Sequence, residues 1–164
     1  MALPNAVLSG FSATLYAQPT ASPTPLTTAQ LSLVASTAPI AVIGNIVNIE
    51  AMPPIGQDDA MASFTVAGSR QSDKIPTQSA PSSMTITAAW NPSDATLLLI
   101  RGDAYSGVVD RTYVVAFVLN ANIVYYSFNA RASEFKIDAQ PNAEAKCIFT
   151  LHPRGNQYGW SNNA

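Results

Sequence analysis

From Ser83 to Trp90 the chain alternates: Met84, Ile86, Ala88 and Trp90 fall on one side, and Ser83, Thr85, Thr87 and Ala89 on the other. A period of two with β-branched and aromatic residues predicts a strand with one buried face. Asn91-Pro92 ends it, because proline brings no N–H to a ladder but suits a first helical position. A short helix follows. Asn91 is its expected N-cap, Asp94 places negative charge in the first turn, and Gly102 is the expected left-handed cap after Arg101. Ala95, Leu98 and Leu99 are the expected apolar face, making Trp90, Leu98 and Leu99 core residues of a strand–corner–helix unit. So short a helix cannot stand alone and must pack on a sheet.

The same patterning predicts strands elsewhere. Phe11 to Tyr16 is short, and a loop with three prolines, Gln18 to Pro25, follows it. Thr28 to Ser36 reads as a turn of helix. Ala41 to Glu50 is a strand with Ile43, Val47 and Ile49 on one face and Gly44, Asn48 and Glu50 on the other. It is expected to form a hairpin with Ala60 to Ala67, where Phe64 and Val66 point inward and Ser63 and Thr65 outward; Pro53, Pro54 and Gly56 make the turn. Gly68 to Pro81 reads as a polar loop containing Arg70, Gln71, Asp73 and Lys74, long enough to have a purpose of its own.

Val108 to Leu119 is apolar on both faces near its end, as in a strand covered on two sides. After the turn Asn120-Ala121-Asn122, the strand Ile123 to Ala132 puts Val124, Tyr126 and Phe128 on one face and Ser127, Asn129 and Arg131 on the other. Ser133 to Asn142 is a connection. Glu144 to Leu151 turns Ala145, Cys147, Phe149 and Leu151 inward and Glu144, Lys146 and Thr150 outward. The expected organisation is an uncharged Ala/Ser/Thr/Pro-rich arm over 1–40, a β domain over 41–154 and a polar tail over 155–164. The fold class is mainly β, a sandwich or half-barrel with one short α-helix.

Composition changes this picture in one respect. Hydrophobic residues make up 48% of the chain but charged ones only 11%, against about 25% in an average domain. A surface so poor in charge suits a protein that covers its outside with partners. The net charge of −2 leaves no basic footprint for tight nucleic-acid binding. No apolar run approaches the ~20 residues of a membrane helix, and no Lys or Arg precedes the first apolar residues, so no secretory signal is expected. Cys147 is the only cysteine, which excludes an internal disulfide, fits a reducing cytoplasm and makes it a small core residue.

Candidate chemistry is thin. His152 is the only histidine, so neither a zinc site nor a Ser–His–Asp triad is well supplied, and no nucleophile elbow or phosphate loop is present. Asp58-Asp59 lacks the spacing of a calcium loop. Arg101-Gly102-Asp103 is better explained as a basic helix end, a glycine cap and a turn than as an adhesion motif. Tyr125-Tyr126 and Trp160 could stack on bases, but with no basic groove beside them they read as packing residues. No enzyme, cofactor or metal is expected.

The order of these pieces resembles the tail tube proteins of long, non-contractile-tailed bacteriophages. AVIGNIVNIE looks like that family's strand into the first hairpin, and SFTVAGSRQSDKIP like its returning strand and stacking loop. SMTITAAWNPSDATLLLI looks like its strand, Asx-Pro corner and helix. YVVAFVL, IVYYSFNARASEF and AEAKCIFTLHPRG look like its closing strands. The arm over 1–40 is longer and richer in Pro and Thr than the family pattern.

The resemblance implies a structural virion protein, assembled in the host cytoplasm. Six copies would form a ring with the sheets joined edge to edge. Rings would stack into a tube that conducts double-stranded DNA without binding it specifically. Tape measure, tail terminator and distal tail proteins would be its partners, and it would touch no membrane. It implies an inter-ring stacking loop carrying Arg70, Gln71, Asp73 and Lys74. The lumen wall would include Asn48, Glu50, Ser63, Thr65, Ser127, Asn129 and Arg131. Two other classes fit the same residues: another tail component of the same fold, such as a terminator or baseplate hub, and a secreted β-sandwich binding module.

Overall fold

The computed structural model describes residues 12–21, 24–31, 44–46, 49–51, 53–65, 72–119, 122–141 and 143–161. Within them the strands are β1 (Ser12–Ala17), β2 (Gly44–Ile46), β3 (Ile49–Ala51), β4 (Gln57–Thr65), β5 (Ser72–Pro81), β6 (Met84–Ala89), β7 (Asp110–Leu119), β8 (Asn122–Asp138) and β9 (Lys146–Ser161), with one long helix, α1 (Ala95–Ser106). Seven strands make one antiparallel sheet in the order β2-β1-β7-β8-β9-β6-β3, and β4 and β5 pair only with each other. The edge strands β2 and β3 lie two residues apart in sequence. The step from Ile46 to Ile49 can span no more than about 11 Å, so the sheet must curl until its edges come close. The result is a half-barrel with α1 packed against it; residues 28–31 add one helical turn.

The long strands β8 and β9 run through the whole curl. Their pairing shifts register between Ser127 and Asn129 and again between Ser133 and Lys136. Glu134 at the second shift, and Gly155 on β9, have positive φ (54° and 70°). Such bulges bend a strand and sharpen its twist.

The core lies between the sheet's inner face and α1. Leu15, Met84, Ile86, Tyr113, Val115, Phe128, Phe149 and Leu151 are buried there with Leu97 and Ile100 of the helix. The alternation of 84–89 holds as the pattern predicts, with Met84, Ile86 and Ala88 all buried. Trp90 is partly buried at the core's edge, its ring 5.8 Å from and edge-on to Phe135, which stacks on Phe149. Residues 111–116 are buried on both faces of β7. The second face is covered by a smaller cluster in which Leu31, Val114, Ala116 and Tyr125 are buried.

Several expectations are corrected. The N-cap is Asp94, whose Oδ1 accepts from the N–H groups of Thr96 (2.8 Å) and Leu97 (3.3 Å). Asn91 instead makes a local turn, accepting from Ser93 N–H at 3.0 Å. The helix runs past Gly102 to the left-handed Gly107 (φ 67°). Its buried line is Leu97, Ile100 and Asp103, while Ala95 and Leu98 are exposed and Leu99 is half-buried. ATLLLI is too uniformly apolar for periodicity to choose a face.

The expected hairpin between 41–50 and 60–67 does not form. β2 pairs with β1, β3 with β6, and β4 with β5. Residues 72–81, expected as a loop, are a strand. Its prolines, Pro76 and Pro81, are tolerated because both strands of an isolated pair are edges. Ser133–Asp138 extends β8, and 155–161, expected as a polar tail, continues β9. Thr150 lies on the same outward side as Thr85 (Oγ1–Oγ1 3.2 Å) but is buried there.

Candidate assembly surfaces

Three surfaces follow from this architecture: a projecting hairpin, a strapped sheet face and an exposed helix face. The hairpin β4–β5 pairs from Gln57↔Pro81 out to Thr65↔Ser72, a span of about 30 Å for nine residues. Asp58, Asp59, Ala60, Met61, Ala62 and Ser63 are exposed, as are Lys74 and Pro76 on the other strand. Of the expected stacking residues, Asp73 and Lys74 lie near the far end of this hairpin, while Arg70 and Gln71 fall outside the described residues. Ser63 and Thr65 lie on β4.

The second surface is the face of β7, β8 and β9 opposite the main core. The uncharged residues 18–21 and 24–31 lie across it. Gln18 N–H donates to Thr112 O (2.9 Å) and Leu26 N–H to Ser127 Oγ (2.8 Å). Thr112 Oγ1 donates to Thr24 O (2.9 Å) and Thr28 Oγ1 to Gly159 O (3.3 Å). At one end Arg111 donates to the carbonyls of Gln18 and Pro19, both at 2.7 Å, and pairs with the buried Asp103 carboxylate. Ser127 and Asn129, expected on a lumen wall, are therefore buried; their polarity serves a covered face, since a buried hydroxyl must find a partner. Arg131 is half-buried and donates to Asp110 at 2.9 Å. Asp110 also meets Arg154 at 3.2 Å, so one carboxylate ties β7, β8 and β9. The Arg131 hydrogen bond, above all, holds the Asp110 carboxyl below its ordinary value. Glu50 is exposed and accepts from Lys146 at 2.7 Å; Asn48 lies outside the described residues.

The third surface is the outer side of α1. Leu98 is 43% exposed, Tyr105 68% and, just past the helix, Val108 72%. The Arg101 guanidinium lies 5.4 Å from the centre of the Tyr105 ring. The Arg-Gly-Asp tripeptide is thus inside a helix, with Asp103 buried in its ion pair.

Little here can do chemistry. His152 Nε2 meets Ser133 Oγ at 2.7 Å on an exposed surface, and no carboxylate joins that pair among the described residues. Burial pushes the Cys147 thiol up, as it does the Tyr113 phenol. Among the described residues no three His, Cys, Asp or Glu side chains gather to hold a metal. An apolar recess of about 460 Å³ at the hairpin's foot is lined by Ile55, Gly56, Phe117, Val124, Tyr126 and Gln157.

No protein-family model matches the chain, and no curated protein does. Solved structures do. A chain of the anti-feeding prophage (AFP) baseplate is similar with a TM-score of 0.63 at 11% identity, over 97% of each chain. The SPP1 tail tube is similar with a TM-score of 0.62 at 13% identity, over 90% of this chain and 75% of that one. A chain of the native gene transfer agent (GTA) virion has a TM-score of 0.57 at 14% identity, over 74% and 91%. At such identities the likeness is one of architecture, and the half-barrel with helix α1 is a tail-tube-like fold.

Proposed function

We propose that this chain is a structural subunit of a virion tail, whose copies form rings, six to a ring, that stack into a tube conducting double-stranded DNA during ejection. The observation that carries this reading is the fold, which the chain shares over 90% of its length with the SPP1 tail tube. Three features support it. The chain is poor in charge. It has a hairpin whose strands pair only with each other among the described residues. Beyond Leu151 the second edge of β9 carries no strand pairing among the described residues, so a neighbour's strand can join there. Rings would then form through strand edges and stack through the hairpin, with Asp73 and Lys74 near its far end. Burial of Ser127 and Asn129 leaves Asn48, Glu50, Ser63, Thr65 and Arg131 as the candidates for the lumen wall.

A second reading, a baseplate or terminator component of the same fold, draws on the AFP baseplate chain, matched over 97% of both chains. Copy number in purified particles separates the two, because a tube protein is among the most abundant. The first reading is tested by electron microscopy of the purified protein, alone and with the hairpin shortened between Asp58 and Ala80. Hollow tubes from the intact chain, and only short rings from the shortened one at an unchanged melting temperature, are the expected result. Tubes of normal length from the shortened chain would remove the hairpin's role.

A further inference from the structure

We propose that the hairpin of one copy seats on the outer face of α1 in a copy of the next ring, with Asp59 meeting Arg101 and Met61 packing among Leu98, Tyr105 and Val108. This rests on the stacking reading above and names the receiving surface.

The argument begins with charge. Among the described residues Arg111 pairs with Asp103, and Arg131 and Arg154 share Asp110. Arg101 alone among the described arginines meets no carboxylate, and leans on Tyr105 instead. Asp58 and Asp59, both exposed on β4, have no ion-pair partner among the described residues. In a chain with only 11% charged residues, an unmatched arginine and an unmatched acid pair on separate surfaces are complementary.

The apolar surroundings match as well. Asp59, Met61 and Ser63 share one face of β4, because the register shift at 60/61 places its extra residue, Thr77, on β5. Met61 is 55% exposed beside that acid. Leu98 and Tyr105 flank Arg101 one turn to either side, and Val108, two residues past the helix end, is 72% exposed. Each surface therefore offers one charge set in an apolar field. Both occur on one chain in different places, so the contact is heterologous and propagates from copy to copy. Such a charge pair at an interface sets register and excludes wrong partners.

Charge reversal tests this. Arg101→Glu and Asp59→Arg are surface changes and should each keep the wild-type melting temperature while cutting tube length at least tenfold by electron microscopy. The double variant, which restores opposite charges, should recover tubes. Met61→Cys with Leu98→Cys should give reducible cross-links between copies in assembled tubes; the native Cys147 is buried and takes no part. Tubes of wild-type length from both single variants, or no recovery and no cross-link in the paired ones, would overturn the contact while leaving the tube reading intact. If the wild-type chain forms no tubes and is scarce in particles, the tube reading fails first.

Discussion

Leu97 and Leu98 are neighbours of the same chemistry, yet one is wholly buried against the sheet and the other faces out on α1. Leu97→Ala removes a core side chain and is expected to cost about 2–5 kcal/mol. Leu98→Ala should stay within about 0.5 kcal/mol, as for a surface change. Denaturant titration of the two variants checks the helix's rotation, and equal losses would contradict it. Asp110 gives a pH signature. Its folded pKa is held below the ordinary 3.8, chiefly by the Arg131 hydrogen bond. A depressed carboxyl contributes stability above its unfolded pKa and loses it as the pH falls through the folded value. The stability gap between wild type and Asp110→Asn should therefore be constant near neutrality and close below pH 3.8. A gap that persists in acid would mean the tie across β7, β8 and β9 adds no pH-dependent stability.

At the scale of elements, what was legible depended on whether one face of a segment met water. Met84–Ala89 alternates because it has a buried and an open face, and the structure keeps that parity. Cys147, Phe149 and Leu151 follow the same rule. The strand β5, SDKIPTQSAP, is part of a two-stranded ribbon; its two prolines and its polar residues give it the composition of a loop. The C-terminal half of β9 was hidden by the glycines and polar residues of GNQYG, although Tyr158 packs against the second cluster. The strap could not be read at all, because its fastening depends on Arg111, far off in sequence. That fastening can be tested. Arg111→Ala strips a buried carboxylate of its partner and leaves two carbonyls without their donor. Loss of one member of a buried pair costs about 3–5 kcal/mol. We expect that loss, together with faster proteolysis within residues 18–31 than in an equally destabilised Leu97→Ala. Equal cleavage of the two would show that Arg111 does not hold the strap.

The whole molecule is defined by how little charge it carries: eight basic and ten acidic side chains, with one histidine, in 164 residues. Three of its arginines are already spent on Asp103 and Asp110, inside the subunit. The tube proposed above would, as a conduit for DNA, have conflicting needs. Its wall must be wet and polar, yet each phosphate it neutralises adds affinity and slows passage. Affinity gained through phosphates reveals itself by salt, because the logarithm of the binding constant falls by about 0.9 per neutralised phosphate for each tenfold rise in salt concentration. A chain at net −2 should therefore bind a short duplex weakly even at low ionic strength, and with a slope near zero. Fluorescence anisotropy of a labelled duplex, titrated with the assembled protein across a salt series, measures both. Weak binding with a flat dependence is the expected outcome for a passive channel. Tight binding with a steep slope would mean that assembly gathers the remaining basic side chains onto one surface, and the protein would then be a DNA-holding component rather than a conduit.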